Sequence, residues 1–150
     1  MHPLLLKAGL GAAALATAGG FVVAGSASPA VAYSSPPVFL DISIGSPAYL
    51  VARGAAVQVP VTTSCSTPYG ESADVGVTIT ERVGKSTATG TRYFTVPCVG
   101  SRQTTLVTIS STNGIAFKKG TAFASGYIET YCCYYPPPEE TTSGTITITS

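Results

Sequence analysis

Residues 55–65 read AAVQVPVTTSC. Val57, Val59, Val61, Thr63 and Cys65 fall on one side of an extended chain, and Gln58, Pro60 and Ser64 fall on the other. A period of two over eleven residues is the mark of a strand with one buried face. Pro60 is the anomaly, because proline cannot donate to a ladder and is confined to edges, strand ends and bulges. The reading is therefore a long strand with a bulge or an unpaired stretch at Pro60.

The same period recurs on both sides of this stretch. In VFLDISI (38–44), Val38, Leu40, Ile42 and Ile44 oppose Phe39, Asp41 and Ser43. DVGVTITERV (74–83) sets Val75, Val77 and Ile79 against Thr78, Thr80 and Arg82. TRYFTVPC (91–98) aligns Phe94, Val96 and Cys98, with Pro97 at a strand end. TTLVTIS (104–110), TAFASGYIETYC (121–132) and GTITIT (144–149) continue the series. Turn residues fill the intervals at 66–72, 83–90, 99–103 and 110–120. No window repeats apolar residues at helical spacing. Seven short antiparallel strands with this punctuation predict an all-β, immunoglobulin- or fibronectin-III-like sandwich, with a small barrel as the other architecture of this length.

Residues 1–32 stand apart. A short start with Lys7 leads to an apolar run from Ala8 to Val23, then small residues ending Ala30-Val31-Ala32. This is the order of a cleaved secretory signal. The run falls short of the roughly 20 residues of a spanning helix, and Gly19-Gly20 interrupts it. One domain, 33–150, is expected after cleavage, outside the cell and with no membrane span. Removing 32 of 150 residues takes the only histidine and methionine, and leaves seven basic and seven acidic side chains. A net charge of zero offers no footprint for nucleic acid.

All four cysteines, Cys65, Cys98, Cys132 and Cys133, lie in 33–150. An even count in an exported domain predicts two disulfides, whereas a zinc site would want two closely spaced pairs. If successive strands alternate in direction, the second, fourth and sixth all end at one pole. That gathers the four cysteines there, with YCCYYPPPEE (131–140) as the last loop of the pole. Three connectivities are open. One is Cys65–Cys98 with a vicinal Cys132–Cys133 bridge. Another is Cys65–Cys132 with Cys98–Cys133, which is like the inter-sheet bridge of immunoglobulin domains. Strands two places apart in one sheet are about 9.5 Å apart, so Cys65–Cys98 requires the turn after the fourth strand to curl over. Val99-Gly100 can supply the curl, and the reading leans to that pairing.

At VQVPVTTSC (57–65), YFTVPC (93–98) and AFKKGTA (116–122) the chain resembles small secreted actinobacterial proteins with one immunoglobulin-like domain. Such proteins carry a cysteine near the end of the second strand, one after the fourth, a basic FKKG turn and a close cysteine pair before the last strand. The pair is adjacent here instead of spaced. The resemblance covers most of 33–150 and implies the sandwich and export, but no assigned activity.

Catalysis is not expected. Without histidine in 33–150, Ser-His and Cys-His nucleophiles and His-ligated metals are unavailable. Glu139 and Glu140 are neighbours beside a proline run and read as solvated, no D-x-D calcium spacing occurs, and no cofactor or metal is expected. Binding has more support. Tyr131, Tyr134 and Tyr135 share the last loop, and Tyr69 in the loop after the second strand joins them at the same pole. Tyrosine gives broad, stiff contact area with a polar handle. Pro136–Pro138 hold the loop extended, and Glu139 and Glu140 at its edge favour a basic or polyhydroxyl partner, a protein or glycan at the cell surface. Tyr131 is expected to fold back over the disulfides, and Tyr134 and Tyr135 to stay exposed. Two other readings are a structural or adhesive surface protein, pairing through the terminal strand, and a redox-switchable vicinal disulfide.

Overall fold

The computed structural model describes residues 37–131 and 136–150. The expected leader, and the candidates Cys132, Cys133, Tyr134 and Tyr135, lie outside the described residues. The chain is all-β: β1 (Phe39–Ile44), β2 (Ala48–Val51), β3 (Ala56–Ser66), β4 (Ser72–Val83), β5 (Ser86–Pro97), β6 (Gln103–Ser110), β7 (Gly120–Glu129) and β8 (Glu139–Thr149). No helix among the described residues is long and apolar enough to cross a membrane.

The expectation was seven strands; the described residues hold eight. The extra one is β2, whose four residues are too few to show a period. β3 carries β6 along one edge and, along the other, first β2 and then β1. β2 also meets the end of β8 in parallel, Ala48 opposite Ile148. From β8 the ladder runs through β7 and β4 to β5. One eight-stranded sheet thus folds over at β2 into a sandwich-like body, with β1 packed across onto β7 and β8, and β5 against β6.

Pro60 sits where this fold turns over. Its ladder partner on β6 is Leu106, and its carbonyl accepts the Gly45 N–H at 2.7 Å. In a strand the N and O of one residue face the same edge, so the missing N–H points at the gap where β1 has ended and β2 has not begun. No ladder bond is lost. Gly45 lies against the ring, and a Cβ there would meet Pro60 Cγ at 2.8 Å.

The core follows the predicted alternation. Val57, Val59, Val61, Thr63 and Cys65 of β3 are buried, facing Val75, Val77 and Ile79 of β4, Ala122, Ala124 and Ile128 of β7, and Ile146 and Ile148 of β8. Two turns differ from expectation. Residues 83–90 are mostly strand: Val83 pairs with Ser86 across a two-residue turn, Gly84-Lys85, with Gly84 at φ 63°. Loops of two residues with positive φ match the twist of a hairpin. The 111–119 connection drops Phe117 into the core, and its next residue is tied down as well. Glu81, 4% exposed at the inner end of β4, accepts the Lys118 N–H at 2.8 Å.

Candidate functional site

The β3–β4, β5–β6 and β7–β8 connections share one pole, as strand parity predicts. The Cys65–Cys98 disulfide is formed, with Cα atoms 4.7 Å apart. The concern about same-sheet spacing does not arise, because β3 and β5 belong to opposite layers and the bridge spans them. Val99-Gly100 makes the curl: Val99 bridges Ser66, and Gly100, at φ 76°, donates its N–H to the Cys65 carbonyl at 2.9 Å. Cys98 N–H reaches the Glu71 carbonyl at 2.9 Å. Thr67 Oγ1 accepts the Glu71 N–H at 2.9 Å. The last connection is fastened through Thr130, whose N–H donates to the Pro138 carbonyl and whose hydroxyl donates to the Ser72 carbonyl. Three loops are therefore cross-tied to one another and to a covalent bridge.

Two described tyrosines stand on this pole, Tyr69 at 77% exposure and Tyr131 at 70%. Of the disulfides that Tyr131 was expected to cover, Cys65–Cys98 alone lies among the described residues, and Tyr131 does not fold back over it. Its hydroxyl donates to Glu129 Oε1 at 3.0 Å, which turns the ring along the outside of β7 instead. Glu139 and Glu140 are not loop residues either. They open β8, which starts five residues earlier than its apolar end predicts, opposite Glu129 and Ile128. Strand alternation sends them to opposite faces, so only Glu139 joins Glu129.

The outer face of the β5–β4–β7–β8 layer holds features that apolar periodicity does not reveal. One row across the strands reads Thr95, Asp74, Glu129, Glu139. The next reads Tyr93, Gly76, Tyr127, Thr141, and the one after it Thr91, Thr78, Ser125, Ser143. The Tyr127 ring lies over Gly76, where any Cβ would run into it. Here the glycine is required by the close approach of the ring. A groove of about 340 Å³ opens above, lined by Tyr93, Tyr127, Thr78, Ser125, Thr141 and Glu139 among others. Thr95 Oγ1 donates to Asp74 Oδ1 at 3.0 Å. Among the described residues, no group of three His, Cys, Asp or Glu side chains is placed to hold a metal ion.

The carboxylates act on the phenols. Burial, then the charge of Glu129, raises the Tyr127 pKa above its usual value near 10. The hydrogen bond to Glu129, then its charge, raises Tyr131 likewise. Both shifts favour the neutral phenol in the folded state. Their contribution to stability is complete below pH 10 and is lost as pH climbs through the raised values. Glu129→Gln is expected to bring the Tyr131 transition back toward 10, followed by phenolate absorbance. An unchanged titration curve would remove Glu129 as the cause.

The chain matches no family model and no curated protein.

Proposed function

We propose that this is a secreted, non-catalytic binding domain of immunoglobulin-like type that meets its partner with the disulfide-braced pole. The observation that carries the reading is the pair of exposed tyrosines, Tyr69 and Tyr131, on loops tied to Cys65–Cys98. Ordering costs little when contact residues sit on a frame that is already rigid. A first strand split into β1 and β2, so that it pairs with both layers, supports the immunoglobulin or fibronectin-III assignment. The signal-like leader and the disulfide support export. In this reading Cys132–Cys133 is the second bridge, Tyr134 and Tyr135 extend the contact surface, and the partner is a protein or glycan at the cell surface.

Glycan and protein arrays, run with the parent and with Tyr69→Ala/Tyr131→Ala, test it. A ligand retained by the parent is expected to be weakened at least tenfold, since buried aromatic anchors carry about 2 kcal/mol or more. Equal binding by both proteins would sink the pole as the contact surface. Non-reducing peptide mapping decides the second bridge. The structural reading has its own observation: among the described residues β8 pairs with β7 along its length but meets β2 only at its last residues, leaving the rest of that edge without a ladder partner. Concentration-dependent sedimentation would favour that reading, because an open edge pairs with another copy.

A further inference from the structure

The groove on the outer face of β5–β4–β7–β8 lies beside the pole and does not depend on the pole being a binding surface. Its floor is the flat Tyr127 ring over Gly76, and Tyr93, 67% exposed, stands as one wall. A ring lying along a sheet presents its π-face outward, and that face is electron-rich. The groove shares Tyr93 and Tyr127 with a second depression that reaches Asp74, Thr95 and Glu129. Glu139 closes the near side. Aromatic floor and carboxylate rim are therefore one continuous surface.

The rim is out of balance internally. Asp74 is directly opposite Glu129, and Glu129 directly opposite Glu139. Like charges facing across neighbouring strands destabilise a sheet. A hydroxyl relieves two of the three, Thr95 on Asp74 and Tyr131 on Glu129. The one ion pair among the described residues is Arg102–Asp41, away on β1 and the β5–β6 turn. No cation of the described chain neutralises the row.

The geometry points to an organic ammonium group as the ligand of this groove, presented as a lysine side chain of an extended partner segment. The ammonium end would sit over the Tyr127 ring face at its Glu129–Glu139 side, with the butyl stem across the rest of the ring. A cation over a tyrosine face gains from the ring quadrupole, and the same charge removes the repulsion within the row. Thr78, Ser125 and Ser143 supply hydroxyls on the far side of the ring for the partner backbone, and Thr141 supplies one beside it. The occupant is a lysine because the surface asks for positive charge and apolar stem together. A metal ion would satisfy only the first need, and the described carboxylates are not grouped to hold one.

The test is titration of the purified protein with tetralysine at low salt, followed by the ring resonances of Tyr93 and Tyr127. Both are expected to move on binding, and affinity is expected to fall as salt rises. Glu129→Gln/Glu139→Gln should weaken binding by about tenfold or more. Its unchanged backbone amide spectrum away from the groove would show that the fold is intact. Tetralysine acetylated on every side chain keeps the stem and loses the charge, and is expected not to bind. Ring resonances that stay still, equal binding of the acetylated peptide, or full affinity in the double glutamine variant would each overturn the proposal. So would chitotetraose, a neutral glycan, moving the same rings where tetralysine does not. Loss of tetralysine binding in Tyr69→Ala, with none in Glu129→Gln/Glu139→Gln, would place the cation at the pole and likewise overturn it.

Discussion

Replacing Cys65 and Cys98 together by alanine is expected to lower the unfolding free energy by about 3.7 kcal/mol, the loop-closure value for the 33-residue separation. Domains of this kind have roughly 5–15 kcal/mol in all, so the variant keeps its fold with a narrow margin. The midpoint temperature should fall by roughly 15 °C. Chain entropy is only part of the argument. The bridge joins the end of β3 to the end of β5 across the two layers, and the bonds from Cys98 to Glu71 and from Gly100 to Cys65 depend on that closeness. Hydrogen exchange at the Gly100 amide should therefore quicken by more than exchange at the middle of β4. Urea unfolding of the parent and the variant measures the global term. A loss below about 1 kcal/mol would mean that the cross-layer packing, not the bridge, holds the pole together.

Strand periodicity carried the sandwich, and it did so because nearly every strand has one dry face. In β3, alternate residues from Val57 to Cys65 are buried, and any slip of one residue would put five of them in water. Parity carried the pole: once strands alternate, Cys65 and Cys98 must finish together. What the period cannot see is an element shorter than itself. β2, with four residues shared between β3 and β8, is fixed by two neighbours and not by its own pattern. The start of β8 was missed for the opposite reason. Glu139 to Ser143 carries no apolar alternation because its inner positions, Glu140 and Thr142, are not in the dry core.

The candidate site was legible only in part. Tyr69 and Tyr131 were found by their loops, but the outward turn of Tyr131 needs Glu129 two residues back, a pairing visible only after register is known. The Asp74–Glu129–Glu139 row combines residues far apart in the chain. No spacing rule within one strand announces it, and only the cross-strand register does. Gly76 gave the one local hint. A glycine within an otherwise β-branched strand, DVGVTIT, marks a place where something approaches closely, and here it is the Tyr127 ring.

Phe117→Ala should cost about 3–5 kcal/mol, comparable with loss of the disulfide although the residue lies in a connection. Phe117 is 2% exposed and the largest of the fully buried side chains. Burying a phenylalanine accounts for much of such a cost through transfer from water, and the cavity left behind supplies the rest. The site has little room to relax, because the backbone on both sides is pinned. Phe117 N–H donates to the Gly54 carbonyl at 2.8 Å, and Lys118 N–H is held by Glu81. Gly54, at φ 87°, lies so close to the Phe117 carbonyl that a Cβ would collide with it. A surrounding that cannot collapse keeps its cavity, which places Phe117→Ala toward the upper end of the range. Phe117→Leu retains most of the apolar volume and should cost about half as much or less. Urea midpoints for the two variants, at a common slope, separate the two contributions. If alanine and leucine cost the same, the packing of the ring is not what anchors this connection, and the Gly54 and Glu81 bonds carry it alone.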